Sequence, residues 1–219
     1  MKSGYTLIEL LVVMGIIFLM ASLSLVNHNQ FGREIDLENN AYKMALDVRT
    51  AQAFGINRRD DSDADGTLTL ETWREEFKSP DPYGIVFTSS NSSGIAGMTP
   101  ESYMIFLDRS DGSNQEFFFD DNDTAGTICT SNSSSECIDI ISMNNGIYVS
   151  EICVGSSASS CNNVNTVHIS FKRPNPDAHI KVVNTGVEYS YAEITVMSPI
   201  AGISEQKISV GVAGQVAIQ

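Results

Sequence analysis

Glu9 stands inside an apolar run, and this carboxylate constrains the possible folds of the chain more than any other residue. From Leu10 to Val26 the only polar side chains are Ser22 and Ser24, and Tyr5 to Ile8 extends the run upstream. Together these segments reach the roughly 20 residues needed to cross about 30 Å of hydrocarbon. A serine in such a helix returns its hydroxyl to the backbone and does not end the span. The expectation is a membrane-spanning helix, with Lys2 on the cytoplasmic side and the carboxyl end facing outward. An ionised Glu9 in that setting is costly without a nearby cation. Alternatively, Glu9 lies at headgroup level with no special partner.

The helical pattern continues beyond the apolar run. Leu37, Ala41, Met44, Val48, Ala51 and Gly55 recur at steps of four and three, which places them on one face. A helix from Tyr5 to Gly55 would be on the order of 75 Å long. Polar Asn27 to Asn29 and flexible Gly32 mark where it would bend or melt. Downstream, short apolar or alternating segments read as strands: Tyr83 to Thr88, Tyr103 to Asp108, Glu116 to Phe119, Cys137 to Ile141, Ile147 to Val154, Val167 to Lys172, His179 to Val183, Ala192 to Met197, Lys207 to Val212 and Gln215 to Ile218. In the sixth of these, Val167, Ile169 and Phe171 alternate with His168, Ser170 and Lys172, which predicts one wet face. Ser89 to Gly97, Ser131 to Ser135 and Ser156 to Asn163 read as surface loops.

The chain has 219 residues and a net charge of -14, enough length for one substantial core and a balance that argues against nucleic acid as a partner of the head. Cys129 and Cys137, and likewise Cys153 and Cys161, enclose Ser-rich segments, so two local disulfides are the simplest expectation in an oxidising compartment. Crossed pairing stays open if the loops are neighbours. Zinc fits poorly, because both gaps exceed the usual ligand spacing and no histidine is near. Asp61, Asp63, Asp65 and Gly66 match the opening of a calcium loop, with Thr67 and Thr69 at the next ligand-like places and Glu71 one place early for the closing carboxylate. A solvated acidic turn explains the same residues. Asp120-Asp121-Asn122-Asp123 is a weaker acidic turn. His28, His168 and His179 are scattered and no Gly-x-Ser-x-Gly or His-Glu-x-x-His motif is present, so no enzyme is expected.

The string Lys2-Ser3-Gly4-Tyr5-Thr6-Leu7-Ile8-Glu9-Leu10-Leu11-Val12-Val13 resembles the processing signal of type IV prepilins and of the pseudopilins of type II secretion. Arg173, Pro174 and the final hairpin are reminiscent of GspH/FimT-like minor pseudopilins. The resemblance implies cleavage by prepilin peptidase after Gly4 and methylation of the new amino terminus at Tyr5, where the family usually has phenylalanine. It also implies that Glu9 pairs with that new amine, of its own chain or of a neighbour. The implied fold is α+β and pilin-like: a long N-terminal membrane-spanning helix packed at its C-terminal half on a mainly antiparallel β-sheet head. The implied divisions are a leader (1–4), a transmembrane and filament-core helix (5–26), its amphipathic continuation (27–55) and an extracytoplasmic head (56–219). The implied role is a structural subunit of a pilus-like filament, stored as a single-pass precursor in the bacterial cytoplasmic membrane and delivered to an extracellular or periplasmic filament. Its partners would be copies of itself or other pilins, the peptidase and an inner-membrane assembly platform. A low-copy pseudopilin that primes a secretion or DNA-uptake pseudopilus, and a membrane-tethered binding module that never polymerises, are the alternatives.

Overall fold

The structure, a computed structural model, describes residues 6–57 (side chains of 23–30 excepted), 82–91, 95, 97–108, 136–172, 175–182, 185 and 187–219. Helix α1 spans Leu7–Asn57 without interruption, 51 residues in all, so the chain stays helical through Asn27 to Asn29 and Gly32. Leu37, Ala41, Met44, Val48 and Ala51 are buried along one face. Near the end of that face Gly55 lies against the backbone of Phe171, and a Cβ at this position would overlap the Phe171 carbonyl. Glycine therefore sets how closely α1 approaches the sheet beneath it.

Two antiparallel sheets receive the helix. The first runs in the order β3 (Cys137–Ser142), β2 (Ser102–Leu107), β1 (Tyr83–Thr88), β6 (Thr166–Phe171), β7 (Ala178–Lys181), β8 (Glu188–Tyr189). The second runs β11 (Val216–Ile218), β10 (Gln206–Gly211), β9 (Tyr191–Met197), β4 (Tyr148–Ser157), β5 (Ser160–Val164). Alternate residues of both turn inward to one core, with Ile85, Phe87, Val167 and Ile169 from the first sheet and Val149, Ile152, Ile194 and Ile208 from the second packed with the α1 stripe. The chain passes from the first sheet to the second at Asn144–Gly146. There Asn145 (φ 60°, ψ 26°) and Gly146 (φ 71°) are both left-handed, and the Ile147 N–H donates to the Asn144 carbonyl at 3.2 Å. Asn-Gly suits that geometry because both residues tolerate positive φ.

Several expectations are corrected. Among the described residues no helix is long and apolar enough to cross a membrane. The membrane-spanning helix, the pilin-like fold built on it and the single-pass membrane precursor are therefore not supported. The observed architecture is mostly antiparallel sheet in two layers. Ser156 to Asn163, read as a loop, is the tip and second strand of the β4–β5 hairpin. The wet face expected for β6 is also absent, since every residue of Thr166–Phe171 is buried. A second apolar cluster of Val86, Met98, Met104, Phe106 and Cys137 lies outside the main core. Phe106 meets the His168 ring edge-on at 6.0 Å.

Candidate assembly surface

The start of α1 is built by Thr6 and Glu9 acting on each other. The Thr6 N–H and the Thr6 hydroxyl each donate to Glu9 Oε2 at 3.0 Å, and the Glu9 N–H donates to Thr6 Oγ1 at 3.3 Å. This reciprocal pair is a capping box, which satisfies two backbone donors that the first turn would otherwise leave open. Its carboxylate also sits favourably at the positive end of the helix dipole. The sequence reading assigned Glu9 to a cation and passed over Thr6, although Thr-x-x-Glu ahead of an apolar run was there to be read. In this chain Glu9 is exposed, and its described partner is Thr6. Gly4 and Tyr5, where processing was expected, lie outside the described residues.

From this cap onward the helix offers a continuous apolar surface. Every large apolar side chain from Leu7 to Met20 is at least half exposed, Ile16 least at 50% and Leu7 most at 83%. Farther along, Phe31, Ile35, Tyr42 and Leu46 are also exposed. Their spacing of four, seven and four puts them on one helical face, turned away from the stripe of Leu37, Ala41, Met44, Val48 and Ala51 that the core covers. The second half of α1 is thus apolar on two sides, and among the described residues only one side is covered. The exposed positions were not picked out from the sequence, because a periodicity search rewards the stronger buried stripe.

Polar links hold the covered side in place. Tyr103 Oη donates to Asp47 Oδ2 at 2.5 Å, Arg49 Nη2 donates to the Val216 carbonyl at 3.0 Å, and Gln52 Nε2 donates to the carbonyls of Pro176 at 2.9 Å and Gly214 at 3.2 Å. Burial, followed by the hydrogen bond to Asp47, pushes the Tyr103 phenol well above its ordinary range, so it stays a donor. On the outer face of the second sheet, Glu193 accepts from Tyr191 at 2.7 Å and from Lys207 at 3.1 Å. Burial raises the Glu193 carboxyl, but these two donors outweigh it and hold it below the usual carboxylate range.

The remaining expected sites divide between seen and unseen. Cys153 and Cys161 form a disulfide across the β4–β5 hairpin, with Cα atoms 5.4 Å apart. Cys137 is disulfide-bonded, while Cys129 lies outside the described residues. The calcium loop of Asp61, Asp63, Asp65, Thr67 and Glu71, and the second acidic turn at Asp120 to Asp123, also lie outside them. Among the described residues no group of three or more His, Cys, Asp and Glu side chains is placed to hold a metal ion. His168 is fully buried, and burial lowers it to about 3, so it is neutral at ordinary pH. His179 Nδ1 lies 2.6 Å from Glu188 Oε1 at the surface. Comparison with protein-family models, curated proteins and solved structures gave no match.

Proposed function

We propose that this chain is a structural subunit of a pilus-like filament that assembles through α1. The observation that carries the reading is the exposed apolar surface from Leu7 to Met20, continued by Phe31, Ile35, Tyr42 and Leu46. Burying a large apolar side chain contributes about 1.5 to 3 kcal/mol, so many of them facing water form a strong drive toward association, from which only the costs of association subtract. A second copy supplies another apolar helix, and when one side of α1 packs on a different side of the next, the repeated head-to-tail contact extends into a helical filament unless it closes into a ring. The resemblance of Lys2 to Val13 to a prepilin signal supports this reading and adds cleavage after Gly4 by prepilin peptidase.

Processing matters to the same surface. Cleavage after Gly4 creates a free amine at Tyr5, next to the Thr6–Glu9 cap, and gives Glu9 a cation as it leaves water. The outward-facing sheets would carry the acidic exterior of the filament.

The test uses the full chain in cells that process it. Wild-type protein should appear in sheared fibres visible by electron microscopy. Gly4→Ala should accumulate uncleaved, and the double variant Ile16→Asp/Phe18→Asp should be cleaved yet absent from fibres while its head melts at the wild-type temperature. Normal fibres from that double variant would remove the proposal. High abundance in fibres marks a major subunit, whereas trace amounts together with loss of fibres on deletion mark a low-copy priming subunit.

A further inference from the structure

Asn145-Gly146 is the only Asn-Gly step in the sequence, and it forms the turn by which the chain changes sheets. The Asn145 side-chain Nδ2 donates to Asp36 Oδ2 at 2.7 Å. One residue earlier the Asn144 N–H donates to Asn40 Oδ1 at 3.3 Å, and Asn40 Nδ2 donates to the Asp36 carbonyl at 2.7 Å. Asp36 and Asn40 flank Leu37, where the buried stripe of α1 begins. A small polar clamp therefore joins the sheet-changing turn to the helix at the start of their contact.

The clamped group is chemically reactive. An asparagine carboxamide can be attacked by the backbone nitrogen of the next residue, and glycine offers no side chain to hinder the approach. The attack requires that nitrogen to swing toward the Asn145 side chain. At ψ 26° it lies instead on the side of Asn145's own backbone nitrogen, and the Asp36 contact holds the carboxamide in place. Both Asn145 and Gly146 are exposed to water.

We propose that Asn145-Gly146 is a latent deamidation site, held unreactive by docking of the turn on Asp36 and Asn40 and released when α1 lifts from the turn. In the released state the Gly146 nitrogen loses its proton and bonds to Asn145 Cγ. The Cγ–Nδ2 bond breaks and ammonia leaves, giving a cyclic imide. Water then opens the imide at either carbonyl, to aspartate or to isoaspartate. The first product places a carboxylate opposite Asp36, and the second adds a methylene to the backbone of a turn that depends on left-handed φ. Neither rebuilds the clamp, so a transient separation of helix and turn becomes permanent. The site records how often α1 has lifted.

The rate of amide-to-acid conversion at Asn145 can be followed by peptide mass spectrometry on the full chain at mildly alkaline pH. Wild-type protein in urea sets the ungated rate, and folded wild-type protein should convert far more slowly. Removing the charge-assisted hydrogen bond in Asp36→Ala should accelerate conversion in the folded protein by on the order of tenfold. Asp36→Asn, which keeps an acceptor oxygen, should stay near the wild-type rate. Equal rates for folded wild type and the urea-unfolded chain, or for wild type and Asp36→Ala, would overturn the gating. A second measurement covers the case in which Asp36→Ala does not fold. Asn145→Asp should lower the melting temperature at neutral pH, and adding Asp36→Asn should restore it; an unrestored double variant would overturn the like-charge consequence.

Discussion

Tyr103 Oη donates to Asp47 Oδ2 at 2.5 Å, joining the start of β2 to the covered side of α1. Tyr103 is almost fully buried and packs against Phe87 with ring centroids 5.6 Å apart, so its hydroxyl has a single fixed destination. Tyr103→Phe keeps the ring and leaves Asp47 without this donor. It should destabilise the folded chain by about 1.5 to 3 kcal/mol, the range for a hydrogen bond to a charged group. Urea unfolding of the two single variants and of Tyr103→Phe/Asp47→Ala should give a clear coupling energy; additive losses would show that the bond contributes nothing.

Gly55→Ala tests close approach against helix propensity. Alanine is the better helix former by about 1 kcal/mol in an exposed position. Here its Cβ meets the fixed backbone of Phe171, and the strain should win, for a net loss of about 1 to 3 kcal/mol. A thermal melt at or above the wild-type temperature would contradict the contact.

Acid should weaken the fold through His168. Its folded value, lowered by burial to about 3, lies below the ordinary 6.5, so the unfolded chain takes up a proton before the folded chain does. The stabilising difference is fully present above pH 6.5 and is lost progressively as pH falls toward 3. His168→Gln cannot titrate in that window. Its stability should fall less steeply than wild type between those limits, as read from urea midpoints at a series of pH values, and parallel slopes would refute the assignment.

At the helix start, Thr6→Ala removes the hydroxyl that accepts from the Glu9 N–H and donates to its carboxylate. The first turn should fray, at a local cost of about 0.5 to 2 kcal/mol. Amide exchange of the first turn should quicken while that of the sheets is unchanged. Unaltered exchange there would show that the cap does not hold the helix end.

Reduction of the Cys153–Cys161 bridge offers a separate check on the β4–β5 hairpin. Closing so short a loop limits the unfolded chain, so Cys153→Ser/Cys161→Ser should lose about 2 to 3 kcal/mol. The polar edge strand Ser160–Val164 should be the first region to lose amide protection. An unchanged unfolding midpoint would mean that the hairpin holds itself.

Much of the sheet content was legible because alternation at a period of two is a local signal: Tyr83–Thr88 matches its expected bounds, and β2, β6, β9 and β10 fall within a residue of theirs. Sheet membership was not legible. Nothing local in Cys137–Ser142 or Tyr148–Ser157 says that consecutive strands part company at Asn145, although Asn-Gly marks the turn itself. The wet face assigned to β6 failed for a related reason: His168 and Ser170 are polar, but Phe106 and its neighbours cover that side. Apolarity at the chain start was plain, yet hydropathy alone does not distinguish a lipid-facing surface from one that other protein covers, and the reading of a membrane span overreached there. At the candidate surface Glu9 was found and Thr6 was not, since attention to the cost of the charge hid a short-range use for it.

The grip of Arg49 on the Val216 carbonyl spans 167 residues of chain. During synthesis α1 emerges long before the strand that receives it, so its future core face is uncovered while both sheets are still being made. Contacts of such long range slow folding, because loop closure must precede any gain from them. For most of its synthesis the chain presents two sticky helix sides instead of one. The newborn chain therefore carries an uncovered core face until its last strand arrives, and premature pairing of α1 between chains is a hazard of its biogenesis.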